Sequence, residues 1–118
     1  MIGVGIDTVD VARFGLVLTR RQGLAERLFT SGEVAAASGS MGRLAARFAA
    51  KEATMKAMGV GLGAFKFREI EVVREESGQP TLLLSGAALA LAGEKGVHTW
   101  HVSMTHTALV AEAVVVAE

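Results

Sequence analysis

Residues Arg43 to Met58, RLAARFAAKEATMKAM, constrain the fold more than any other stretch. Alanine is the best helix former, and the run holds neither glycine nor proline. Gly59 follows directly and is the residue type that ends helices in the left-handed conformation. The sequence therefore predicts one long helix over 43–58. At about 100° per residue, Met41, Leu44, Phe48 and Met55 fall on one apolar stripe that must lie against another element. Glu52 is about 40° from Phe48 by the same arithmetic, inside the edge of that stripe. A carboxylate there is costly unless something neutralises it. Lys56, one turn on, offers the ordinary solution, an i,i+4 pair worth a few tenths of a kcal/mol.

The other segments supply what the helix packs on. IGVGID, residues 2–7, alternates branched apolar residues with Gly3, Gly5 and Asp7, the period of a short strand. The glycines leave one strand face open to the close approach of a second element or of a ligand. Val11, Phe14 and Leu18 share helical spacing, with Arg13 and Arg20 on another side and Gly23 as a bend or stop. Thr30 and Glu33 fit a capping box, which predicts a short helix after Thr30. SGSMG, residues 38–42, is a flexible joint. FREIEVVR (67–74), the turn EESGQP and TLLLS predict a hairpin, followed by a helix in GAALALAGEKG. TWHVSMTH and LVAEAVVVA predict a closing hairpin. Helices and antiparallel strands in this order read as an α+β fold.

With 118 residues the chain is a single domain, 1–118. A hydrophobic content of 51% and a mean hydropathy of +0.41 argue against disorder. The 12 basic and 12 acidic side chains cancel, so no overall field draws it to nucleic acid or a membrane surface. Without cysteine there is neither a disulfide framework nor a thiolate metal site, which fits a cytoplasmic protein. The apolar runs are too short or too interrupted to span a bilayer, and no secretory leader is expected.

Two acids stand out as chemistry. Asp7 ends a strand before a helix, where an acid is often an N-cap, but Thr8 could take that role. Asp7 and Glu52 come from distant segments with Lys and Arg nearby. Such a set suits a hard cation such as Mg2+ bound together with substrate phosphates. GVGLG, residues 59–63, follows a helix and lacks a third glycine at the right offset, so it is not a dinucleotide fingerprint. In WHVSMTH, His101, Ser103 and Thr105 share one strand face. Spacing alone assigns a role neither to His101 nor to His106, and no zinc motif is present.

GVGID with Arg13 six residues on, RFAAKEATMKAMGVGLG and HVSMTH together resemble the holo-acyl-carrier-protein synthases, the short, single-domain branch of the 4'-phosphopantetheinyl transferases. The resemblance runs through nearly the whole chain in order, and F-x-x-K-E-A-x-x-K-A is specific to that superfamily. It implies Mg2+-dependent transfer of phosphopantetheine from coenzyme A to a serine of an acyl carrier protein, with release of 3',5'-ADP.

By this resemblance Asp7 and Glu52 are metal ligands, and Lys56 lies near the scissile phosphate and stabilises charge on the leaving group. Arg47, Lys51 and His106 match basic positions at or near the coenzyme site, and Arg13 and Arg20 match the surface that docks the carrier protein. The glycine face of the first strand would be cleared for the diphosphate and its ion. The general base stays open among Glu52, a metal-bound water and a histidine. The resemblance also implies a homotrimer with coenzyme sites between neighbouring subunits. Val9 stands where the two-repeat branch has a third acid, so water is expected there. SGSMG stands where short members carry basic residues for the nucleotide phosphate. Two alternatives share these residues: a carrier-binding module without turnover, and a Mg2+-dependent hydrolase of nucleotide diphosphates.

Overall fold

The computed structural model describes all residues, 1–118. The elements run β1 (Gly3–Asp10), α1 (Val11–Arg20), α2 (Leu24–Leu28), α3 (Ser31–Ala37) and α4 (Met41–Met58). A short 3-10 turn, Phe67–Glu69, then leads to β2 (Ile70–Arg74), β3 (Pro80–Leu84), α5 (Gly86–Glu94), β4 (Trp100–His106) and β5 (Val110–Ala117). Two antiparallel sheets form, one ordered β1-β5-β4 and one from the β2–β3 hairpin, so the fold is α+β.

Helix α4 lies across the three-stranded sheet, and its composition explains how closely. Ala45, Ala46, Ala49 and Ala50 pack with Val9, Phe14, Ala111 and Ala113, while Ala53 and Ala57 pack with Val115 and Ala117. A Cβ on Gly5 would stand 1.9 Å from the Ala53 carbonyl oxygen, and one on Gly3 equally close to that of Ala57. The glycine face of β1 is therefore occupied by helix backbone. It is not cleared for diphosphate and ion as the resemblance implied; the second element took the space.

The local signals resolve as their chemistry dictates. The capping box of α3 forms, with the Thr30 hydroxyl accepting from the Glu33 N–H and the Glu33 carboxylate accepting from the Thr30 N–H. Gly59 ends α4 at φ 71°, left-handed. Asp10, rather than Thr8, caps α1 by accepting from the Arg13 N–H at 2.9 Å. Gly23, at φ 80°, starts α2 after a two-residue turn.

The outer face of β1 departs from its pattern. Ile2, Val4 and Ile6 are 46, 57 and 63% exposed. Val4 and Ile6 pair with Val116 and Val114 of β5, so the apolar side of the strand faces away from α4.

Candidate active site

Strand β1 and helix α4 bring the two acids together. Asp7 follows the glycines on the face that meets α4, and Glu52 sits four residues after Phe48 on the helix. Both line one cleft of about 700 Å3, with Asp10, Arg13 and Arg21 as its other charged residues. Apart from Thr8, the rest of the wall is apolar and includes Phe14, Val17, Leu24, Phe48, Leu62 and Phe67. Loss of water around Glu52 pushes its carboxyl above the usual carboxylate range, and the negative charge of Asp7 pushes it further. Lys56 pulls the other way.

Lys56 pairs with Asp7, not with Glu52. Its Nζ lies 3.2 Å from Asp7 Oδ1 and donates to the Ile6 carbonyl at 2.9 Å. The ordinary i,i+4 pair is thus not made, and Glu52 has no ion-pair partner. Two carboxylates facing one cleft, one of them held above its usual range by burial and by the other's charge, fit a hard dication bound through oxygen. No third acid or histidine joins them as a ligand group.

The other expected coenzyme residues do not enter this cleft. Lys51 is fully buried, and its Nζ donates to Glu33 Oε1 at 2.7 Å, to the Ile70 carbonyl at 2.6 Å and to the Phe67 carbonyl at 3.1 Å. An ammonium has three protons, so none remains for a phosphate. Its surroundings make Lys51 an internal cation rather than the coenzyme contact implied by the resemblance. Arg47 points about 140° around α4 from Glu52 and is 1% exposed. Its Nη1 donates to the Arg43 carbonyl, and its buried Nε has no partner. Burial, then the nearby Arg74, lowers its proton affinity, with Glu33 opposing. His106 ends β4 against the start of α4, where a Cβ on Gly42 would come within 2.7 Å of its ring. With Ser40, Gly42 and Thr107 it borders a separate cavity of about 440 Å3.

Of the two arginines expected to dock the carrier protein, Arg13 lines the cleft and Arg20 does not; Arg21 lines it instead. Arg21 leaves the helix with φ −106° and ψ 96°, so its direction follows from the turn before Gly23. Asp10 was not among the expected residues either, although an acid directly before Val11, the first residue of the apolar period, is an N-cap signal.

Residues 3–117 match the 4'-phosphopantetheinyl transferase superfamily. The chain belongs to that superfamily. It is 51% identical to the holo-[acyl-carrier-protein] synthase of Streptomyces griseus subsp. griseus, over all of this chain and 98% of that protein. Among solved structures it resembles the holo-[acyl-carrier-protein] synthase of Neisseria meningitidis, with 35% identity and a TM-score of 0.89 over 100% of this chain and 99% of that one. The Helicobacter pylori synthase, crystallised with coenzyme A, superposes with a TM-score of 0.88 at 29% identity over 98% and 99% of the two chains.

Proposed function

We propose that this superfamily member transfers the 4'-phosphopantetheine group of coenzyme A to a serine hydroxyl of apo acyl carrier protein and releases 3',5'-ADP. The observation that carries the reading is the meeting of Asp7 and Glu52 in one cleft, with Lys56 on Asp7, in a chain similar to holo-acyl-carrier-protein synthases over its full length.

In the reaction the serine oxygen attacks the phosphorus that bears pantetheine. The P–O bond to 3',5'-ADP breaks with its electron pair on the leaving phosphate, and the serine proton is lost. Phosphoryl transfer of this kind asks for alignment and charge neutralisation more than for covalent chemistry. Asp7 and Glu52 would hold Mg2+, which supplies positive charge beside the diphosphate. Lys56 adds a fixed cation next to that pair and favours charge on the leaving phosphate. Arg13 and Arg21, on the cleft wall, meet anionic groups of the carrier protein.

Arg47 and His106 fit a coenzyme site completed by another subunit, because neither faces the Asp7–Glu52 cleft of its own chain. The Arg47 guanidinium, buried beside like charges and with an orphaned Nε, makes no ion pair in its own chain, a gap that a phosphate could fill. The exposed row of Ile2, Val4 and Ile6, joined by Val114, supports a homotrimer in which that sheet face is covered. No helix is long and apolar enough to cross a membrane, and a cytoplasmic location accords with the cysteine-free sequence.

One incubation tests the reading: the protein, coenzyme A, Mg2+ and apo carrier, followed by mass spectrometry. A carrier mass gain of one phosphopantetheine is expected. Coenzyme breakdown without carrier would mark a hydrolase, and binding without chemistry a carrier-binding module; either would overturn the transferase reading.

A further inference from the structure

Behind the cleft lies an ion pair that the transfer does not use. Glu33 and Lys51 are both completely buried, 2.7 Å apart. Every polar position of the pair is committed to a backbone or side-chain partner. Besides Lys51, Glu33 accepts from the Thr30 N–H at 3.0 Å and, through Oε2, from the Val72 N–H at 2.9 Å. Lys51 gives its other two protons to the Phe67 and Ile70 carbonyls.

Stability alone does not account for such a pair. Removing two charges from water costs about what their attraction returns, and apolar residues of similar volume often hold a fold as well. What the pair does that apolar residues could not is grip specific backbone atoms. Thr30 belongs to the start of α3, Phe67 to the 3-10 turn, and Ile70 and Val72 to β2. Lys51 therefore fixes the point where the chain passes from the 59–66 loop into the hairpin.

Phe67 is at that point, and its ring belongs to the cleft wall. It stacks on Phe48 with centroids 5.5 Å apart and planes at 24°, and Phe48 lies 4.9 Å from Phe14. Phe48 is one turn before Glu52, so this row of rings flanks the metal-facing carboxylate. Glu52 also follows Lys51 directly on α4. With Lys51 pinned inward, the roll of the helix is set, and Glu52 is turned about 100° from it.

We propose that Glu33 and Lys51 are positioning residues for the transfer, holding Phe67 and the apolar wall in register with Glu52. The role rests on the transferase reading, and it is separable from it by experiment. Glu33→Gln keeps the size of the side chain and removes the charge that anchors Lys51. Hydrogen exchange of residues 66–72 in the intact protein should quicken in this variant, while β1 and β5 stay protected. At saturating Mg2+, kcat should fall about tenfold to a hundredfold, as small misplacements of reacting groups do, with the KM for coenzyme A unchanged. The loss should be non-additive with Phe67→Ala: once the wall is released, removing its ring costs little more.

Lys51→Met serves as the second variant if Glu33→Gln does not fold, and the same changes are expected of it. A folded variant with wild-type kcat, unchanged exchange at 66–72, or full additivity with Phe67→Ala would each overturn the positioning role. A wild-type protein that transfers nothing would instead strike the transferase reading, because the exchange measurement needs no turnover.

Discussion

Lys56 reaches across from α4 to β1 and places its Nζ 3.2 Å from Asp7 Oδ1, leaving Glu52 on its own helix without an ion-pair partner. One acid of the pair is thus already oriented by a cation, while the other is half-buried and uncompensated. That asymmetry makes the three residues separable by substitution.

Lys56→Met should leave the fold intact, because the lysine side chain is 54% exposed and such pairs add little to stability. Turnover should drop by about a hundredfold or more if the cation stabilises charge that develops only in the transition state. Thermal melting and steady-state kinetics at saturating Mg2+ check both halves. Wild-type kcat in the variant would remove Lys56 from the reaction.

Glu52→Gln should abolish transfer and weaken Mg2+ binding in calorimetry. Without metal the same change should stabilise the protein at neutral pH. The sign follows from the raised proton affinity of Glu52, caused first by burial and then by Asp7. A carboxyl that ionises later when folded than when unfolded destabilises the fold above its folded pKa. That cost fades as pH falls and is gone below its unfolded pKa. Melts in a chelator across this range should therefore show the variant more stable at pH 7 and the gap closing in acid. Near-native turnover of the variant in limiting Mg2+ would contradict the metal assignment.

Gly5→Ala tests the seam that carries the site. The added methyl would meet the Ala53 carbonyl at 1.9 Å, so α4 must move off β1. Overpacking of this kind costs about 1–3 kcal/mol or more, and here it also shifts Glu52 relative to Asp7. Denaturant titration should show the stability loss, and activity should fall further than stability does. An unchanged midpoint would mean that the two backbones are not in contact.

The seam also shows what the sequence could reveal. The long helix, its Gly59 stop and the Thr30–Glu33 box depend on neighbours a few residues apart, and all are readable locally. Which side of β1 is buried is not local. Alternation marks Val4 and Ile6 as the apolar side, but backbone packing through Gly3 and Gly5 turns that side outward. Residues 67–69 read as strand, yet Lys51 captures the Phe67 carbonyl and they form a 3-10 turn. Asp7 and Glu52 stand out in the sequence because acids on an otherwise apolar pattern are conspicuous, and the fold brings them to one cleft. Lys51 looks the same in sequence whether it meets a phosphate or Glu33; only the fold decides.

The exposed sheet face predicts assembly. Light scattering should give a trimer, and Ile6→Lys, at a position 63% exposed in the single chain, should yield folded monomers with transfer much reduced. A folded monomeric variant that keeps full activity would exclude sites completed by a second subunit.

The carrier surface gives the last prediction. Arg13 and Arg20 are seven residues apart and would share a helix face, yet the cleft takes Arg13 and Arg21. Arg21 has no carboxylate within salt-bridge distance, so its charge is free for a partner. Acidic partners are steered by such exposed cations, which matters more in a chain with no net charge. At about 0.15 M salt the Debye length is about 8 Å, so a cation on the cleft wall should keep its effect where a more distant one is screened. Arg21→Glu should raise the carrier KM, flatten its salt dependence and leave the KM for coenzyme A unchanged. Arg20→Glu should do the same more weakly, with its effect confined to low salt. Kinetics at two ionic strengths decide between them. If Arg20→Glu has the larger effect at physiological salt, the carrier docks along the outer face of α1 rather than over the cleft. If both KM values rise together for Arg21→Glu, this arginine grips the coenzyme instead.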